Sequence, residues 1–315
     1  MNNSKKNNLN NIIKPFFDVN LFFIIVIIIL FGLLILSSAS IEISSQKFNE
    51  PFYYLYKQIG NLIFSIFICS FFIYLSSYKL KKNYKLFFYF FLFLLCLVLI
   101  PDIGKTAGGS TRWLSFFGRD IQPAEFYKLF YIIWLCAYLD NNRDRIKKAE
   151  VFIVPFLWLF ISSILLMMQP DFGSTVTIFY MTLIMLFIAK ARFIYLTLVS
   201  ALGLLGAYLI VMNFEYIRKR LDFFEPCKDA FGDGYQLCYS LMAIGSGSIF
   251  GKGLGASTSK LFFLPEAHTD FIFAILAEEL GIFGIIFVIL LFYLFLRKCI
   301  LIGDKAIRVG LVFQG

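Results

Sequence analysis

The sequence predicts an all-α, polytopic membrane protein with about eight spans and a large extracytoplasmic loop before the eighth. Three observations carry that prediction. Sixty per cent of the residues are hydrophobic and only 16% are charged, whereas soluble domains are about half apolar and roughly a quarter charged. The excess is bulky, with 41 phenylalanines and 17 tyrosines, and the mean hydropathy is +0.80. Apolar runs of about 20 residues, the length needed to cross a bilayer, recur along the chain, and the basic residues cluster between them. The runs are continuous rather than alternating. Helices are therefore expected rather than a barrel, because each backbone polar group must be satisfied inside lipid.

Residues 1–18 form a polar, Asn-rich tail placed in the cytoplasm. The apolar stretch Leu21 to Leu36 follows it without a small-x-small cleavage pattern, so it reads as an uncleaved first span rather than a signal peptide. Spans one to seven fill 19–213, at 19–40, 58–77, 85–101, 124–140, 151–169, 172–189 and 193–213. Residues 214–270 form the outer loop, with room for a re-entrant segment, and 271–296 form span eight. Residues 297–315 read as a cytoplasmic loop and the start of a truncated ninth span at Ile307 to Phe313.

Charge sets the orientation. Lys5, Lys6 and Lys14; Lys79, Lys81, Lys82 and Lys85; Arg143, Arg145, Lys147 and Lys148; Lys190 and Arg192; and Arg297 and Lys298 all fall on one side if the N-terminus is cytoplasmic. This placement accounts for the net charge of +9 and removes the reason to invoke nucleic acid as a partner. Arg218, Lys219 and Arg220 break the rule from within the long outer loop, where they suit an anionic ligand at headgroup level. Short outer segments are expected at 41–57 and about 102–123. Cys69, Cys96, Cys136 and Cys299 are solitary and read as packed thiols, whereas Cys227 and Cys238 share the outer loop and could pair there.

Polar groups gather near the outer ends of the spans. Arg112 follows a glycine-rich turn, and Gln122-Pro123-Ala124-Glu125 opens the fourth span with Lys128 three residues after Glu125. Pro123 suits the first helical turn, and Glu125 suits the positive end of the dipole. The Glu125–Lys128 pair reads either as a helix stitch or as part of a polar cavity, and the two are compatible. Asp171 in the Gln169-to-Gly173 turn reads as an N-cap. The run from Gly245 to Gly255 is not a Walker A motif, because three residues separate Gly247 from Gly251 and Gly253 follows Lys252. Its glycines instead allow a tight, close-packed segment. Glu266, His268 and Asp270 stand together before span eight. One histidine and two carboxylates make a weak metal signal, and no nucleophile accompanies them. Asp270 reads either as a helix cap or as a general base beside basic residues. On these residues alone an acid–base enzyme and a transporter stand equal.

The stretches GGSTRW, QPAEFYKL, QPDFG, GDGYQ, SLMAIGSGSIFGKGLG and PEAHTDFIFAILAEELG occur in this order. Together they resemble the SEDS family of bacterial shape, elongation, division and sporulation proteins, over essentially the whole chain. Ala267 is nearer the septal-division branch than the elongation branch. The resemblance implies a SEDS-type helical bundle in the bacterial inner (cytoplasmic) membrane at the division septum. It implies a peptidoglycan glycosyltransferase that polymerises lipid II and releases undecaprenyl pyrophosphate, working with a class B penicillin-binding protein and other division proteins. It makes Asp270 the base on the acceptor hydroxyl, and places Arg112, Gln122, Glu125 and Lys128 around a cavity, with Arg112 and Lys128 toward pyrophosphate. Lys252, Lys260, Glu266 and His268 are further substrate contacts. The sequence offers no metal cage, although a divalent cation (Mg or Mn) would suit the pyrophosphate. Tyr239 and Ser259 stand where the family often has glutamine, RKRLDFFEP is one residue short, so Arg218 and Arg220 take no matched role, and the last two spans are missing or incomplete. The alternatives are a lipid II flippase and a truncated, non-catalytic divisome scaffold.

Overall fold

A computed structural model describes residues 18–74, 77–101, 103–107, 110–116, 119–213, 227, 234–261, 264 and 267–313. Glu266, the basic residues at 218–220 and the N-terminal tail lie outside the described residues. The chain forms two compact units, one of Met1–Cys69 with Glu215–Val309 and one of Ser70–Phe214 with Gly310–Gly315.

The first unit begins with α1, Val19–Phe48, and the start of α2, Tyr53–Tyr74. Asp18 caps α1, its Oδ1 accepting from the Leu21 N–H at 2.9 Å. Asp18 also lies 3.6 Å from Lys298. α1 continues past the expected end near residue 40, so the outer loop at 41–57 shrinks to the few residues after Phe48. The serines around the expected end are not loop formers here. Ser38, Ser40 and Ser44 are buried, and the helix ends only where Asn49 turns left-handed at φ 55°.

Residues 235–246 form α9, Tyr235–Ser246, and residues 272–308 form α10, Ile272–Arg308. α10 thus extends beyond the expected end at 296, taking in the part of 297–315 that reads as a loop. The core of this unit is made of small residues and a few branched ones, namely Ala39, Ala243, Leu264, Ala267, Ala274 and Ile275. Small side chains let helix backbones approach closely, which is how membrane helices gain contact without a hydrophobic drive between them. A disulfide joins Cys227 to Cys238.

The second unit carries the end of α2, then α3 (Ser77–Lys82), α4 (Tyr84–Val98), α5 (Pro123–Asn141), α6 (Ala149–Met168), α7 (Phe172–Ile188) and α8 (Phe193–Asn213). Its core is aromatic. Phe88 stacks on Trp134 at 4.9 Å and meets Trp158 edge-on at 5.2 Å. Polar bonds cross this core. The Tyr127 hydroxyl bonds Ser162, and that of Tyr131 lies 2.9 Å from the Thr182 hydroxyl. Pro155 within α6 has no N–H, so it leaves the Val151 carbonyl without its helical donor. The Tyr138 hydroxyl donates to that carbonyl at 3.1 Å.

The expected all-α architecture needs one correction. The segment between α4 and α5 folds into β1 (Gly104–Ala107), β2 (Ser110–Phe116) and β3 (Arg119–Ile121), an antiparallel sheet in the order β1-β2-β3. Gly104 pairs with Leu114, and Leu114 with Ile121. Leu114 is buried while Ser115 beside it is exposed, the alternation that favours a half-buried strand. Cys69 and Cys96, expected to be packed, are exposed on their helices.

Helices form at all eight expected apolar runs. Among the described residues α1, α2, α6, α8 and α10 are long and apolar enough to cross a membrane, whereas α4 and α7 are shorter apolar helices. α5 has 19 residues and carries Glu125, Lys128 and Asp140. These charges are spread from one end of α5 to the other, so it lacks the long uncharged stretch that α10 has between Glu279 and Arg297.

Candidate active site

The sequence-predicted residues fall into two groups, one in each unit. In the first unit the chain leaves α9 through the glycine run and wraps against α10. The wrap is made possible by a break in α10 at Gly281, where φ is 63° and ψ −158°, a conformation essentially confined to glycine. A Cβ there would lie 2.4 Å from the Gly251 nitrogen, and a Cβ on Gly251 would lie 2.2 Å from the Glu279 carbonyl oxygen. The break frees backbone groups, and the glycine run satisfies them. Ile282 donates its N–H to the Ser248 carbonyl at 3.2 Å, while the carbonyls of Glu278 and Glu279 accept from the N–H groups of Lys252 and Gly253 at 3.0 and 2.9 Å. A close-packed segment, as the glycines suggested, is the result.

Two carboxylates that sequence reasoning passed over sit beside this break. Glu278 and Glu279 are both fully buried. Glu278 accepts from Lys252 Nζ at 2.5 Å, and also from the hydroxyls of Ser257 and Thr258 and the N–H groups of Thr258 and Ser259. Glu279 accepts from Lys260 Nζ at 2.8 Å and from the Ser38 hydroxyl at 2.6 Å. Lys260 is itself buried and also donates to Ser38. Lys260, expected as a substrate contact, is thus paired inside the protein, whereas Lys252, expected in the same role, reaches Glu278 from an exposed position. The available signal was two adjacent carboxylates in an apolar span, which are rare and normally paired.

Beyond this clamp the chain returns to the core at Leu264 and Ala267 and then reaches Asp270. The cap of α10 falls at Phe271 with no side-chain bond, so Asp270 does not serve as the helix cap. Asp270 is exposed, and among the described residues no side chain bonds or pairs with it. His268 is half-buried with its ring 4.5 Å from that of Tyr54 on α2. Unlike Asp270, it rests against an aromatic neighbour.

The second group lies in the other unit. Arg112 on β2 donates through Nε to the Gln169 carbonyl at 3.1 Å and through a terminal nitrogen to that of Pro170. Gln169 is fully buried and bonds the Leu95 carbonyl at 2.9 Å. Gln122 reaches Asp171 at 3.4 Å. Asp171 caps α7 as expected, accepting from the Ser174 N–H at 3.1 Å. Glu125 and Lys128 form the expected ion pair at 2.8 Å, with Glu125 exposed and Lys128 half-buried. The arrangement is a stitched polar layer joining the sheet, α4, α5 and the α6–α7 turn. Arg112 and Lys128 are its cations, and each has an internal partner. Among the described residues no three His, Cys, Asp or Glu side chains converge on a point that could hold a metal ion.

Apolar helices long enough to cross a membrane, with an exposed Asp270, unpaired among the described residues, on the chain that leaves a buried ionic clamp, define a helical integral membrane protein; comparison with known proteins defines the family. The sequence profile of the FtsW/RodA/SpoVE family, described as cell cycle protein, matches residues 19–311, so the chain belongs to that family. Haemophilus influenzae has a relative named "probable peptidoglycan glycosyltransferase FtsW", 38% identical over 301 residues, covering 95% of this chain and 76% of that protein. A protein of the same name from Thioalkalivibrio sulfidiphilus is 39% identical over 289 residues, covering 90% of this chain and 71% of its own length. In structure, the chain is similar to one from a peptidoglycan synthase complex that coordinates polymerization and crosslinking. The TM-score is 0.75 at 23% identity, over 95% of this chain and 82% of that one. It is also similar to the rod shape determining protein RodA of Thermus thermophilus, with a TM-score of 0.63 at 22% identity, over 93% and 77% of the two chains.

Proposed function

We propose that this chain is a peptidoglycan glycosyltransferase of the septal-division type, polymerising lipid II at the outer face of the bacterial inner membrane. The single observation that carries the reading is Asp270, an exposed carboxylate with no internal partner among the described residues, on a segment otherwise tied down. The names of the relatives support the reaction class. In the proposed step Asp270 accepts the proton of the acceptor sugar hydroxyl. The oxygen attacks the anomeric carbon of the donor, the bond from that carbon to the phosphate oxygen breaks, and undecaprenyl pyrophosphate departs with the electron pair. Arg112 and Lys128 are the proposed electrostatic partners of the departing pyrophosphate. His268 and Glu266 are further proposed contacts with substrate. A class B penicillin-binding protein is the proposed partner, and the likeness to a chain of a peptidoglycan synthase complex supports it.

The purified chain, with a class B penicillin-binding protein and lipid II in detergent, is expected to yield glycan ladders on a gel. Movement of labelled lipid II between vesicle leaflets, with no ladder under any condition, would favour the flippase instead. Neither activity in the presence of the partner would favour the scaffold.

A further inference from the structure

We infer that Glu278 and Glu279 are positioning residues for Asp270. The inference rests on the proposed role of Asp270 as the base. Glu278 gathers five donors from both ends of one short segment, Lys252 at one end and Ser257, Thr258 and Ser259 at the other. Glu279 adds a second clamp, binding Lys260 from the same segment and Ser38 from α1. The clamped segment is tied to Leu264, whose N–H donates to the Ser259 carbonyl at 3.1 Å. Leu264 and Ala267 are then buried in the core with Ala274 and Ile275 of α10. Asp270 therefore sits on a short tether between two fixed points, the buried Ala267 and the first turn of α10.

Neither glutamate can meet a ligand itself, since both are fully buried with their oxygens occupied. Stability alone is a poor reason for them, because a buried ion pair is often matched or exceeded by apolar residues of similar volume. What apolar residues would not supply is a fixed direction for the segment that carries the base, and small misplacements of reacting groups are expensive in rate.

The test uses the full chain with its class B penicillin-binding protein, fed lipid II, with turnover expressed per folded, membrane-inserted molecule. Glu278→Gln and the double variant Lys252→Gln/Glu278→Gln, which strands no charge, are expected to lower kcat by about 10- to 100-fold with KM unchanged. Thr258→Val, at an exposed position that tolerates a mild change, removes one donor and is expected to lower kcat a few-fold. A role confined to folding would instead reduce the yield of folded protein and leave kcat per folded molecule at the wild-type value. That result in any variant that folds, Thr258→Val included, overturns the inference. Asp270→Asn separates the two levels. If it polymerises normally, the assignment of the base has failed; if it is inactive while the clamp variants turn over normally, only the positioning role has failed.

Discussion

Arg112 aims its guanidinium at the carbonyls of Gln169 and Pro170, a geometry that uses the fork of the side chain as well as its charge. A lysine keeps the charge but cannot hold both carbonyls. Arg112→Lys is therefore expected to lower stability by about 1–2 kcal/mol, read as a shift in unfolding in detergent. Asp171 and Asp270 show what a sequence discloses at this scale. Both stand at the start of an apolar helix, and capping explains either one equally well. Only the structure separates them, since Asp171 binds the Ser174 N–H whereas the cap of α10 falls at Phe271. Lys252 and Lys260 show what a local reading leaves out. A lysine in a loop reads as a contact for an anion, and its pairing with a buried carboxylate 26 or 19 residues away cannot be read locally.

At the scale of single elements, α6 bends its own rules. Pro155 deprives the Val151 carbonyl of its helical donor, and Tyr138 on α5 replaces it. Tyr138→Phe leaves that carbonyl without the replacement and is expected to cost about 1–3 kcal/mol, measurable by denaturation of the detergent-solubilised protein. The apolar helices were legible as continuous hydrophobic runs, and five of them reach the length that bilayer thickness sets. The ends were not. α1 keeps its helix through a serine-rich stretch because its polar face is buried, with Ser38 bonded to Glu279, and α10 runs on past its basic residues to Arg308. The sheet between α4 and α5 was hidden for another reason: short strands flanked by glycines carry little periodic signal.

For the whole molecule, the proposed orientation rests on the positive clusters, which predict a cytoplasmic N-terminus, the glycine segment outside and the loop after α5 inside. The Cys227–Cys238 disulfide fits an oxidising outer compartment for its segment. In a background lacking the four free cysteines, Ala256→Cys is expected to react with a membrane-impermeant thiol reagent added to intact cells. Lys147→Cys is expected to react only after the membrane is opened. The reverse pattern would invert the topology and place Asp270 on the wrong face for lipid II.

The most direct measurement is lipid II polymerisation by Asp270→Asn, inserted at wild-type levels and bound to the same penicillin-binding protein. The exchange keeps the size of the side chain and removes its ability to accept a proton as a carboxylate. Glycan ladders should vanish while the variant remains folded and partner-bound. Ladders of wild-type length and rate from Asp270→Asn would contradict the assignment of the base.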